Sequence, residues 1–101
     1  MVEHAVVIDV SRYYPASGQR EALLAGMLKL AAAASASGGC FGAQTCASDR
    51  DEKALVAISR WASEEALSVF ANSRDFIAQR EALTLLLAAP AEHEHFRPVA
   101  R

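Results

Sequence analysis

Positive charge is not in excess in this chain: ten Lys and Arg stand against twelve Asp and Glu, a net charge of −2. There is no basic field to hold nucleic acid or anionic lipid, so neither nucleic acid nor a membrane surface is expected as a partner. Long apolar runs are also missing. None approaches the roughly 20 residues a membrane span requires, and the smoothest, Leu30 to Ala34, is too small-sided to anchor. Met1 to His4 lacks the charged head and apolar core of a secretory signal, so a cytoplasmic location is expected. Cysteine is scarce. Cys40 and Cys46, six residues apart on one strand, would be separated by roughly 20 Å, out of disulfide reach. With 101 residues there is no room for a second domain, and 1–101 reads as one unit. The 52% hydrophobic content argues against disorder. Folding at this length buries roughly 60–70% of the unfolded chain's surface, a modest core that shared burial in a dimer would help.

From His4 to Tyr13, Val6, Ile8 and Val10 alternate with Val7, Asp9, Ser11 and Tyr13, a two-residue period that predicts a strand. Its second rib passes from apolar to polar, as if entering a cleft. Pro15 to Gly18 break the pattern, and Ser17 is the expected N-cap of a long helix carrying Leu23, Met27, Leu30 and Ala34 as its apolar stripe. Gly38 and Gly39 end it. Cys40 to Ser48 and Lys53 to Trp61 form a hairpin around the polar turn Asp49 to Glu52. The second strand of that hairpin puts Leu55, Ala57, Ser59 and Trp61 on one face. Ser63 caps a short helix, Asn72 or Ser73 restarts it with Phe76, Arg80, Leu83 and Leu87 on one side, and Pro90 stops it. Ala91 to Val99 alternates as a polar edge strand.

The order strand, helix, strand, strand, helix, strand predicts an α+β, ferredoxin-like fold: a four-stranded antiparallel sheet with helices on one face. The other face, taken to carry Val7, Leu55, Ala57 and Trp61, would then expose several hundred Å² of apolar surface. A second copy of the chain is expected to cover it, giving a homodimer with a cleft between each sheet and its cover.

The chain resembles the antibiotic biosynthesis monooxygenase superfamily, small dimeric α/β barrels. The resemblance rests on Tyr13, Tyr14 and Pro15 after the first strand and on Gly39-Cys40-Phe41-Gly42. Above all it rests on Ile58-Ser59-Arg60-Trp61-Ala62-Ser63-Glu64-Glu65-Ala66 followed by Asn72-Ser73-Arg74-Asp75-Phe76. It implies oxygenation of phenols or quinols without a cofactor, quinol oxidation, or, in one branch, haem degradation. The haem branch places an Asn near the end of the first strand, a Trp at the end of the third, and an iron-binding His on the second helical region. Here Trp61 is present, but Ser11 and Arg80 hold the other two positions. Arginine stays protonated and cannot ligate iron, so haem degradation is disfavoured. The family's aromatic after the second strand's glycine is replaced by Ala43.

In the oxygenase reading the substrate anion itself passes an electron to dioxygen, and the protein binds, orients, deprotonates and excludes water. Asp9 and Trp61 are the candidate catalytic residues, Asp9 as a desolvated general base and Trp61 stacking on the substrate rings. Val7, Ser11, Tyr13, Leu55, Ser59 and Arg80 are the candidate substrate-binding residues: an apolar wall with a few polar groups, suited to a flat aromatic ligand. Four of them have a structural alternative. Trp61 serves equally as packing at the sheet, Asp9 as an ion-pair partner of Arg12 or Arg60, Tyr13 as turn packing, and Arg80 as a stem laid over the core edge. His93 and His95 point to one side of a strand as an incomplete metal clamp, for which only His4 offers a third ligand; a solvated edge explains them without metal. No metal or cofactor is expected. The competing hypothesis is a non-catalytic dimeric ligand-binding or interaction module of the same fold. An enclosed pocket of roughly 300 Å³ or more beside Trp61 and Asp9 favours a ligand role, and a filled interior favours assembly alone.

Overall fold

The computed structural model describes residues 7–99. Its elements run β1 (Val7–Tyr13), α1 (Arg20–Ser35), β2 (Cys40–Ala47), β3 (Leu55–Trp61), α2 (Glu64–Ala71), α3 (Arg74–Thr84) and β4 (Glu92–Phe96). The strands form one sheet in the order β2-β3-β1-β4, with all neighbours antiparallel. This is the α+β, ferredoxin-like arrangement the sequence predicts. The expected start of the first strand at His4, with Val6, lies outside the described residues. No helix among the described residues is long and apolar enough to cross a membrane.

One expectation about the sheet is reversed. Val7 lies opposite Trp61 and Tyr13 opposite Leu55, so these residues share a face as predicted. That face, however, lies under the helices of its own chain. Tyr13 and Leu55 pack with Leu23, Met27 and Leu83, and Val7 and Trp61 pack with Ala34 and Leu67. The physical reason is charge. The opposite face interleaves Ile8, Val10 and Ile58 with Arg12, Arg60 and Glu94, which would lose hydration under a helix, whereas the covered face carries only Asp9 as a formal charge on β1 and β3. The cleft is therefore internal to one chain, between sheet and helices.

The α1 stripe works through small and flexible side chains. Leu23, Met27 and Ala34 are buried at spacings of four and seven, and each large one contributes about 1.5–3 kcal/mol by leaving water. Ser17 does not cap this helix. The chain turns through Gly18 at φ +79°, the Gln19 N–H donates to the Ala16 carbonyl, and Gln19 occupies the N-cap without a side-chain bond. The two later caps form through hydroxyls: Ser63 Oγ accepts from the Ala66 N–H and Ser73 Oγ from the Phe76 N–H. Asn72 instead closes α2, its amide donating to the Ser68 carbonyl.

α3 ends at Thr84, well before Pro90. The chain leaves the helix early because its backbone finds other partners. The Ala16 N–H donates to the Leu86 carbonyl and the Ala88 N–H to the Tyr14 carbonyl, both at 2.8 Å. Leu87 thus bridges to Pro15 as a short extended pair, and Leu86 and Leu87 cover the Tyr13–Leu23 end of the core. β4 is the exposed edge strand expected from its alternating polarity. Both cysteines are free, near the two ends of β2.

Candidate active site

Between sheet and helices lies a cavity of about 440 Å³, partly open to solvent. Its size exceeds the roughly 300 Å³ typical of the smaller ligand sites. Two walls differ in chemistry. Trp61, Phe70 and Phe76 form an aromatic chain, with ring centroids 5.3 Å apart for the first pair and 4.9 Å for the second. Met27, Leu30 and Ala34 of α1 extend this side, and the small side chains of the alanine-rich helix leave the space open. Opposite runs a polar rib from β1 and β4.

Strand parity and register build that rib. Asp9 and Ser11 point to the covered face of β1, and across the β1–β4 ladder they lie directly opposite His95 and His93. Asp9 Oδ1 and His95 Nε2 are 3.0 Å apart, and Ser11 Oγ lies 2.8 Å from His93 Nδ1. The His93 and Tyr13 rings stand nearly perpendicular, with centroids 6.3 Å apart. Burial lifts the Asp9 carboxyl above its usual 3.8, opposed by the nearby His95 and His93 and by the hydrogen bond to His95. Tyr13 also rises, from desolvation first and from the Asp9 charge, against Ser11 and Arg80, which hold it down. Its phenol therefore remains a neutral hydrogen-bond donor through neutral pH.

The candidate residues named from the sequence separate into two groups. Asp9, Ser11, Tyr13, Ser59, Trp61 and Arg80 all line the cavity. Val7 and Leu55 do not: at 0% and 1% exposure they are sealed in the two core clusters, because each sits at the end of a strand where a helix packs directly on the sheet. Trp61 is fully buried, with Phe70 against its ring and its indole N–H donating to Ser59 Oγ at 2.8 Å. It is a fixed wall rather than an open stacking surface. Asp9 pairs with His95, not with Arg12 or Arg60, which lie on the other face of the sheet.

Sequence reasoning assigned the two β4 histidines to a solvated edge and did not place Phe70 or Phe76 in the site. The signal for the histidines was present. A His-X-His pair on an edge strand antiparallel to Asp-X-Ser must bring the two sets together whenever the register aligns them. Among the described residues no three His, Cys, Asp or Glu side chains are grouped to hold a metal ion; His4 lies outside those residues. Arg80 lines the cavity from α3, and both histidines enter it from β4, engaged with Ser11 and Asp9.

A ferredoxin-like sheet roofed by three helices over an aromatic-walled cavity defines a class of small α+β domains. The chain belongs to the antibiotic biosynthesis monooxygenase family, whose sequence profile matches residues 6–82. Solved structures share the fold. Rv0793 from Mycobacterium tuberculosis is 24% identical, with a TM-score of 0.86 over 94% of this chain and 96% of that one. PA3566 from Pseudomonas aeruginosa is 20% identical, with a TM-score of 0.83 over 99% and 100%. A crystallised antibiotic biosynthesis monooxygenase is 12% identical, with a TM-score of 0.83 over 93% and 99%. No curated protein matches the chain.

Proposed function

We propose that this protein is a monooxygenase that oxidises an aromatic phenol or quinol-like small molecule in the cavity, using no prosthetic group. The observation that carries the reading is the opposition of a partly desolvated carboxyl, Asp9, to an aromatic wall across a space of about 440 Å³. A flat, electron-rich substrate lies against Phe70 and Phe76, with Trp61 fixing the wall behind them. Tyr13 and Ser59 donate hydrogen bonds to its oxygens. Asp9 removes a proton, and the resulting anion passes an electron to dioxygen. For an anthrone-like carbon acid, recombination gives a peroxide, whose distal oxygen takes up the two carbon protons and leaves as water to form a carbonyl. The balance is one ring methylene and one dioxygen consumed for one carbonyl and one water formed. Carbon is oxidised, both oxygen atoms are reduced, and no external reductant enters.

The same reading includes a homodimer, now through the uncovered sheet face with Ile8, Val10 and Ile58, since the other face is occupied by helices. The open cavity favours a ligand-binding role over a module that only assembles. The test is oxygen uptake by the purified protein with a panel of anthrone-like phenols and quinols. General-base contributions of about 10²–10⁴-fold set the expected loss in Asp9→Asn. Uptake that is unchanged in Asp9→Asn and in Phe76→Ala removes this site from the reaction.

A further inference from the structure

A base enclosed by its ligand has to dispose of one proton before it can take another. The proposed oxidation removes two protons from the same carbon, and both end in the water that leaves. Asp9 holds one at a time. Its side chain is 25% exposed on the interior strand β1 and lines the cavity that the ligand would fill. The edge strand supplies the only other acid–base group in contact with it among the described residues. His95 Nε2 is 3.0 Å from Asp9 Oδ1, the two residues are direct ladder partners, and the imidazole is 50% exposed toward the solvent side.

We propose that Asp9 and His95 form one coupled acid–base unit in which His95 stores the first proton while Asp9 collects the second. The inference rests on the reading of Asp9 as the base, and it assigns a role to a second residue that lines the same cavity. In the first half-reaction Asp9 takes a proton from the substrate carbon and passes it from Oδ1 to Nε2, leaving a carboxylate beside an imidazolium. The carboxylate then takes the second carbon proton as the O–O bond breaks, while the imidazolium, which lines the same cavity, gives its stored proton to the distal oxygen, so that it departs as hydroxide. The protonated Asp9 gives its proton to that hydroxide, which leaves as water. Protons taken and protons given are equal, so the unit is reset at each turnover. His95 receives its proton through Asp9 and lines the cavity beside it.

The other titratable or charged groups lining this space are His93 from β4, Tyr13 from β1, Arg80 from α3 and Glu64 from α2, the last paired with Arg97. α1 and β3 present uncharged residues there. His93 is turned to Ser11, which leaves His95 as the partner of the carboxyl.

Two measurements on the full chain decide the proposal, with His95→Gln as the main variant because glutamine can still donate to Asp9 but cannot store a proton. The first needs no substrate: NMR titration of the Asp9 carboxyl in wild type and in His95→Gln. Coupling predicts that His95→Gln moves the Asp9 midpoint upward, since the attraction and the hydrogen bond of His95 hold it down. An Asp9 midpoint that stays in place overturns the proposal. The second is turnover on whichever panel compound is oxidised: His95→Gln is expected to lower kcat about tenfold or more with a smaller change in KM, and added imidazole to restore it in proportion to its concentration. Loss without imidazole rescue identifies a merely structural residue and overturns the storage role. If the wild-type protein oxidises nothing in the panel, the proposed reaction fails, storage in it fails with that, and the titration still decides whether the two groups are coupled.

Discussion

Ser11 and His93 face one another across the β1–β4 ladder with Oγ and Nδ1 2.8 Å apart, although 82 residues separate them in sequence. The serine is 5% exposed and also stands beside the Tyr13 phenol, whose pKa it holds down against burial. Removing the hydroxyl removes that restraint. In Ser11→Ala the Tyr13 titration is expected to move to higher pH, read by tyrosinate absorbance in a Tyr14→Phe background. Movement to lower pH would show that Ser11 does not act on the phenol. Stability should fall by only about 0.5–1.5 kcal/mol, the net worth of one hydrogen bond whose exposed partner can return to water.

Asp9 carries a sign opposite to that of most paired carboxylates. Its folded-state pKa is raised from 3.8, chiefly by desolvation, so the folded protein binds this proton more tightly than the unfolded chain does. The contribution favours folding below the unfolded value and is lost as pH rises through the folded one. Urea unfolding of wild type and Asp9→Asn at about pH 3.5 and about pH 7, on either side of that titration, should therefore show the variant gaining relative stability toward neutrality. A relative loss over that interval would mean that the attraction of His95 and His93 outweighs burial.

How much of this was legible in the sequence depended on which interactions are local. The two-residue alternation of β1 and β3 gave the strands, and hydroxyls at Ser63 and Ser73 gave the starts of α2 and α3, because a cap is decided within three residues. The end of α3 was not legible: Leu86 and Leu87 continue the helical period, yet their backbone pairs with residues 14–16, far away along the chain. The covered face was misassigned for a similar reason. Parity groups Val7, Leu55 and Trp61 correctly, but which side the helices choose depends on the whole charge pattern of both faces. Of the cavity's lining, the β1 and β3 residues were legible from strand parity, while the β4 half depended on register, which no local pattern supplies.

Trp61 and Ser59 provide a test of how the aromatic wall is held. The indole is fully buried and its N–H donates to Ser59 Oγ at 2.8 Å. Ser59→Ala leaves a buried donor without a partner, an expected loss of about 1–3 kcal/mol by chemical denaturation. Adding Trp61→Phe removes the orphaned N–H, so the double variant should lose less than the sum of the single changes. Strict additivity would show that the hydrogen bond does not stabilise the wall. Shielding of this indole from aqueous quenchers reports packing by α1 and α2 within one chain, and so is uninformative about dimerisation.

Leu55 separates core from cavity most sharply. Strand parity makes it a candidate ligand contact, since it shares a face with Ser59 and Trp61, but it is 1% exposed and packed among Tyr13, Leu23, Met27 and Leu83. Leu55→Ala should cost about 2–5 kcal/mol, through lost burial plus the void left behind. Phe76→Ala, at a half-buried position lining the cavity, should cost less stability and weaken aromatic ligands more, because it removes wall rather than core. The check is one pair of measurements on both variants: unfolding free energy, and affinity for a flat aromatic probe at a temperature where both remain folded. If Leu55→Ala weakens the probe as much as Phe76→Ala does, the leucine belongs to the site after all, together with its cluster neighbours Tyr13 and Met27, which line the cavity.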